Sequence, residues 1–193
     1  MSSERPWLAH YPAGVPAEID LDEFASINDI FDSAVQKYRD KTAFINMGKS
    51  ITYGDLERLS RDFAGYLLGE LKLKKGDRVA IMLPNCLQYP VAILGVLRAG
   101  LTVVNTNPLY TAAELEHQLR DSGAEVIVVL ENFAATVQQV LDKVKLRHVV
   151  VTRAGDLLGF PTGPFINFVL KYVQRRIAYW SMPGATMLAE ALT

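Results

Sequence analysis

Three continuous apolar runs dominate the middle of the chain, and a helical pattern follows each of them. Arg78–Leu83, Thr102–Asn105 and Glu125–Leu130 are rich in Val and Ile and do not alternate with polar residues. Such runs read as strands buried on both faces of a parallel sheet. His148–Thr152 repeats the pattern. Val79, Val103, Val126 and Val149 fall 24, 23 and 23 residues apart, room for one strand and one crossover helix per step. The stretch from Gly76 to Thr152 therefore predicts an α/β fold: a parallel sheet of at least four strands with helices on both faces. Its expected core includes Val79, Ile81, Val103, Val126, Ile127, Val149 and Val151.

The helical patterns are as legible. Ile27, Ile30, Phe31, Ala34, Val35 and Tyr38 share one face of a first helix. Thr42–Met47 and Ser50–Thr52 flank Gly48-Lys49 and read as a hairpin outside the main sheet. Thr52 and Asp55 spell a partial capping box for a helix whose stripe is Leu56, Leu59, Phe63, Leu67 and Leu71. Gln88–Ala99 is a helix apolar on most sides, with Gly100 at its left-handed end. Thr111-x-x-Glu114 caps the next helix, with Leu115 and Leu119 facing inward. Phe133, Val137, Val140, Leu141 and Val144 mark another amphipathic segment.

Organisation follows from these elements. Residues 1–26 form an irregular arm with three prolines, in which Trp7 and Tyr11 are the candidate anchors. Residues 27–75 make a helix-hairpin-helix piece whose hairpin lies outside the main sheet. Residues 76–193 hold the parallel α/β segment and, after the Gly/Pro loop 155–163, an amphipathic helix near 164–180. Pro164 suits its first position. Phe165, Phe168, Tyr172 and Trp180 recur at helical spacing, with Lys171, Arg175 and Arg176 largely off the stripe. That mixture makes these seven residues membrane-interface candidates, set against plain packing on the sheet. If the faces of the Ile30 and Leu59 helices lack cover, the chain self-associates.

Composition narrows the rest. The net charge of −1 on 193 residues gives no sign of a nucleic-acid partner. A single cysteine, Cys86, and an N-terminus without an apolar core point to the cytoplasm, with peripheral contact on the inner face of the cell membrane as an extension. The polar groups at strand carboxyl ends are Asn85, Asn105, Thr106 and Asn107, where open α/β sheets take ligands. Turn and cap chemistry accounts for them better, since no glycine run joins them to cradle a phosphate. His10, His117 and His148 lack metal spacing, and Cys86 has no neighbouring base. No catalytic, cofactor-binding or metal residue is assigned.

Several separated strings nevertheless agree in order with one family. Ile51-Thr52-Tyr53-Gly54-Asp55-Leu56, Leu73-Lys74-Lys75-Gly76-Asp77-Arg78 through Asn85, Ala99-Gly100 and Asn107-Pro108-Leu109-Tyr110-Thr111 through Leu119 resemble the AMP-forming acyl-CoA synthetases. With Tyr11-Pro12 and Asn167-Phe168-Val169-Leu170-Lys171-Tyr172, the likeness runs from Trp7 to Ile177 and is nearest to bacterial members acting on long-chain fatty acids. The resemblance implies a fold belonging to the N-terminal domain of adenylate-forming enzymes, with residues 27–75 part of a neighbouring sheet's subdomain and residues 76–193 part of the parallel α/β one. It implies ATP-dependent activation of a fatty acid to an acyl-adenylate and then to acyl-CoA, with ATP, Mg²⁺ and CoA as cofactors. It also implies that these residues are the N-terminal segment of a longer enzyme. By themselves they are expected to be inactive and to bind none of those cofactors. The competing expectation is a self-contained flavodoxin-like module that binds a small ligand.

Overall fold

The computed structural model describes residues 5–193. The first four residues of the arm lie outside that range. In the remainder of the arm, Pro6–His10 is a short 3₁₀ turn that buries nothing. Trp7 and Tyr11 are exposed, so neither pins the arm to this chain.

Helix α1, Ile27–Tyr38, is capped by Ser26, whose Oγ accepts from Asp29 N at 3.1 Å. It buries Phe31 and Val35, while Ile27 and Ile30 stay exposed. Strands β1, Thr42–Asn46, and β2, Lys49–Thr52, form a separate two-stranded antiparallel sheet. The turn residues are Met47 and Gly48, with φ of 49° and 79°, one place earlier than Gly48-Lys49. Two positive φ values in a row are what a tight hairpin with right-handed strand twist requires.

Helix α2, Tyr53–Gly69, begins on a complete capping box: Thr52 and Asp55 satisfy each other's backbone N–H groups. The hydrogen bonds from Thr52 hold the Asp55 carboxyl below the usual aspartate range. Its apolar stripe is fully used. Leu56, Leu59, Phe63 and Leu67 are buried, which corrects the expectation that the Leu59 face lacks cover. The cover is helix α3, Gln88–Arg98, which presents Gly95 to Phe63.

The main sheet is parallel and has five strands: β3, Arg78–Met82; β4, Thr102–Asn105; β5, Val126–Leu130; β6, His148–Thr152; and β7, Thr186–Met187. Their spatial order is β4-β3-β5-β6-β7. The chain steps outward from β3 to β4, then crosses back over β3 to β5. Val79, Ile81, Val126 and Val128 point to the α2–α3 layer. Ala80, Met82, Ile127 and Val129 point to the opposite layer, which holds α4 (Ala112–Ser122) and α5 (Ala134–Gln138). Six of the seven expected core residues are buried. Val103 is only half-buried, because β4 is an edge strand.

Phe63, Ala64, Leu67 and Leu71 share a core with β3 and β5, so packing runs without a seam across residue 75. The 133–144 stripe is not one helix. It divides into 3₁₀ turns at Glu131–Phe133 and Leu141–Lys143 around the five residues of α5.

The last segment differs most from expectation. Helix α6 spans Thr162–Phe168, with Pro164 in its third position, and continues as a π-helical turn over Val169–Val173. It does not reach residue 180. Gln174 N donates to Val169 O at 2.8 Å, and Arg175 takes a left-handed φ of 50°. The reason is topological. Ile166 packs beside α1 and α2, whereas Trp180 and Met182 pack on the opposite face of the sheet. A straight helix cannot join the two faces, so the chain turns past the end of β5, where Asn132 Nδ2 donates to Arg176 O at 3.5 Å. It then adds β7 and the single turn α7, Leu188–Ala191.

Two outcomes are expected. A Cβ on Gly95 would lie 2.7 Å from the Phe63 ring and 3.1 Å from Ser60 O. Gly95→Ala therefore lowers stability by about 1–3 kcal/mol in urea unfolding, outweighing its helix-propensity gain of about 1 kcal/mol. An unchanged or higher midpoint would show that the α2–α3 contact yields freely. Second, Asp55 has a lowered folded pKa, so its cap contributes above the unfolded value of about 3.9 and fades as pH falls through the folded one. Asp55→Ala should cost about 0.5 kcal/mol at neutral pH and nothing measurable in strong acid. An equal cost at both pH values would remove the carboxylate from the cap's energetics.

Candidate functional site

Parallel strands direct their carboxyl ends to one rim, and here the order reverses at β3, between β4 and β5. That reversal marks where open α/β sheets accept ligands. The sequence-selected polar groups do gather there, and Asn105, Thr106 and Asn107 spend side-chain atoms on structural partners, while Asn85 is held through its backbone carbonyl. Asn85 O accepts from Asn46 Nδ2 at 3.3 Å, which ties the hairpin to the rim. Asn105 Oδ1 accepts from Tyr89 Oη, and Asn105 O accepts from Gln118 Nε2, both at 3.0 Å. Thr106 is buried, with its N donating to Ile81 O at 3.0 Å and its Oγ1 to Val104 O at 3.2 Å. Asn107 Oδ1 accepts from Leu109 N at 3.0 Å, a local Asx turn.

Sequence reasoning missed the tighter half of the rim. Gln88 is fully buried and donates from Nε2 to Arg153 O at 2.8 Å. Glu131 is also buried, and its Oε2 lies 3.4 Å from Arg153 Nε, within ion-pair range but off the line of a hydrogen bond. Leu130 pairs with Thr152 in the β5–β6 register, so the acid and the base each stand one residue beyond a matched pair. An acidic and a basic residue directly following adjacent strands was the available signal.

A second knot lies just beyond. Asp156 Oδ2 accepts from Thr152 Oγ1 at 3.1 Å and from Arg153 N at 2.8 Å. Asn167, on α6, accepts on Oδ1 from Gly155 N at 2.8 Å and donates from Nδ2 to Asp156 Oδ1 at 3.4 Å. The Gly155 and Gly163 backbones touch, since a Cβ on Gly155 would sit 2.2 Å from Gly163 O. Nothing larger than glycine fits this crossing.

These groups make a rigid, charge-paired rim without a nucleophile–base pair. His148 stands at the opposite end of the sheet, its pKa pushed down by burial and then by Arg147. Burial pushes the Cys86 thiol up, so it is an inert wall of an apolar hollow of about 260 Å³ shared with Phe44, Ile45 and Pro90. Among the described residues no three His, Cys, Asp or Glu side chains converge on a metal-sized position. The β3–α3 loop, Leu83–Leu87, has no glycine to bring backbone N–H groups onto a phosphate.

Of the membrane-interface candidates, Phe165, Phe168, Lys171, Tyr172, Arg175 and Arg176 lie exposed along residues 165–176. Trp180 is separated from them and half-buried against the α4–α5 layer. No helix among the described residues is long and apolar enough to cross a membrane.

The family profile described as "AMP-binding enzyme" matches residues 31–171. The chain belongs to the AMP-binding enzyme family. Among its relatives, a long-chain-fatty-acid–CoA ligase of Yersinia pestis is 54% identical over 98% of this chain. A protein of the same name from Escherichia coli O157:H7 is 52% identical over the same share. The chain spans about a third of the length of these relatives, 34% in each. The crystal structure of a long-chain-fatty-acid-CoA ligase from Archaeoglobus fulgidus superposes on 64% of the chain with a TM-score of 0.59 at 29% identity, covering 26% of that protein. The expected fold thus holds, and this AMP-binding family member matches the N-terminal part of such ligases.

The Asn167 knot yields a direct expectation. Asn167→Ala leaves the part-buried Gly155 N–H without its acceptor, a loss of about 1–3 kcal/mol in urea unfolding. Faster amide exchange at residues 155–163 should accompany it. Wild-type exchange in the variant would mean that the knot does not hold the loop.

Proposed function

We propose that this chain serves as the opening part of an ATP-dependent long-chain-fatty-acid–CoA ligase. The observation that carries this reading is 52–54% identity across 98% of the chain to relatives of that name. In the proposed reaction a fatty-acid carboxylate attacks the α-phosphate of ATP, releasing pyrophosphate. The CoA thiol then displaces AMP from the acyl-adenylate. ATP, CoA and Mg²⁺ belong to that enzyme, and its fatty-acid substrate is the partner assigned here; the cytoplasm is the proposed location.

The contribution of these residues is architectural. The charge-paired rim and the Gly155–Gly163 crossing fix the carboxyl ends of five strands, a stiff surface on which mobile catalytic parts can register. Exposed Phe44, Ile45 and Met47 on the hairpin, with Ile27 and Ile30 on α1, supply the apolar contacts for the proposed self-association.

The test is a chimera in which residues 1–193 replace the corresponding opening third of the Escherichia coli O157:H7 relative. Palmitate-dependent pyrophosphate release should stay within about 10-fold of the parent, a barrier change of no more than about 1.4 kcal/mol. A chimera that folds, judged by circular dichroism and a cooperative melt, yet releases no pyrophosphate would overturn the reading.

A further inference from the structure

At the amino ends of the sheet strands lies a group of cations that the ligase reading does not use. Ahead of β6, Lys143, Lys145 and Arg147 alternate with Val144 and Leu146. Val144 is extended, with φ of −126° and ψ of 165°, so neighbouring side chains leave on opposite sides. Val144 and Leu146 pack against the α4–α5 layer, and the three cations are exposed. A cavity of about 390 Å³ opens between this basic ridge, the end of α4 and the starts of β3 and β5. Leu119, Ala124 and Val144 make its apolar wall.

The charges around this cavity do not cancel. Glu116 pairs with Arg120 at 3.0 Å and lies 3.6 Å from Lys143 Nζ, while Glu125 pairs with Arg147 at 2.9 Å. Arg120 is held further by two donations to Lys143 O, at 3.1 and 2.9 Å. Arg78 and Lys145 also line the cavity, and among the described residues neither forms an ion pair. Asp77, next to Arg78 in the chain, spends its Oδ2 on Lys74 N at 2.8 Å. The Arg78 guanidinium lies on Gly123, the left-handed residue that ends α4, and donates one long bond from Nη1 to Gly123 O at 3.4 Å. A Cβ on Gly123 would come within 2.8 Å of that nitrogen, so glycine is what lets the group settle there. The contact covers the carbonyl end of α4, whose partial negative charge opposes an anion. It leaves most of the five guanidinium donors unused.

We infer that this cavity binds a small organic phosphate, its phosphate held by Arg78 and Lys145 and its apolar body set on Leu119, Ala124 and Val144. The two cations suit that task in different ways. Arg78 offers a planar fork of N–H groups, and the flexible Lys145 adds a compact charge from a separate segment. A volume of about 390 Å³ lies within the range of small-molecule sites and is more than a bare phosphate ion fills. The lining comes from β3, α4 and the ridge before β6, so the site is assembled only by the fold. The inference rests on the chemistry of this cavity alone and stands apart from the ligase reading.

The probe is phenyl phosphate, a phosphate monoester with a compact apolar body, titrated into the isotope-labelled 193-residue chain and followed by its amide NMR shifts. Saturable shifts should appear at residues 78, 119–125 and 143–147, with a Kd of about 1 mM or tighter. They should weaken as added salt screens the cations. Inorganic phosphate should bind about 10-fold more weakly, because it leaves the apolar wall bare, and phenol should not saturate. The variant carrying Arg78→Gln and Lys145→Gln should lose about 10–100-fold in affinity while its amide shifts elsewhere stay those of the wild type. A control carrying Lys171→Gln and Arg176→Gln, two exposed cations on another face, should bind as the wild type does. The proposal is overturned by an absence of saturable shifts, by shifts centred on another surface, or by saturation with phenol. Equal affinity for the two phosphates, or undiminished binding by the Arg78/Lys145 variant, would also overturn it.

Discussion

Burial of β3 and β5 on both faces is the constraint on which the rest of the structure depends. A parallel sheet has no solvent face to spare, so every residue from Val79 to Met82 and from Val126 to Leu130 needs an apolar neighbour above or below. On one side α2 and α3 meet that demand together, and Gly95 lets α3 approach closely enough for Phe63 to be fully enclosed. On the other side α4 and the short α5 do so. The hairpin and α1 attach to this sandwich through Phe31, Val35, Ile51 and Leu56, a satellite cluster rather than part of the sheet.

Closing both faces leaves the carboxyl rim as the place where polar chemistry can collect, and the chain uses it for stiffness. Gln88, Arg153 and Glu131 bind three neighbouring elements, and Asp156 with Asn167 fastens α6 beside them. Buried polar groups of this kind are stable only when partnered, so the knot also fixes the outward face of α6. Phe165 and Phe168 of α6 lie exposed on the far side from Asn167.

The sequence by itself determined the strands β3 to β6, the helices between them and the two capping boxes. Those features are written in local periodicity and in residue pairs three apart, such as Thr52 with Asp55 and Thr111 with Glu114. The family, too, was legible in ordered strings from Ile51 to Leu119. Only the tertiary structure decided the remainder. A two-residue strand such as β7 has too few positions to carry a pattern, and it exists because the β6 edge accepts it. Glu131 and Arg153 become partners only once β5 and β6 are in register, a contact 22 residues apart in sequence. The aromatic spacing from Phe165 to Trp180 looked like one helix, since periodicity does not know which face of the sheet each residue must reach. Trp180 belongs to the layer opposite Ile166, and that separation across the sheet is what ends the helix at Val173.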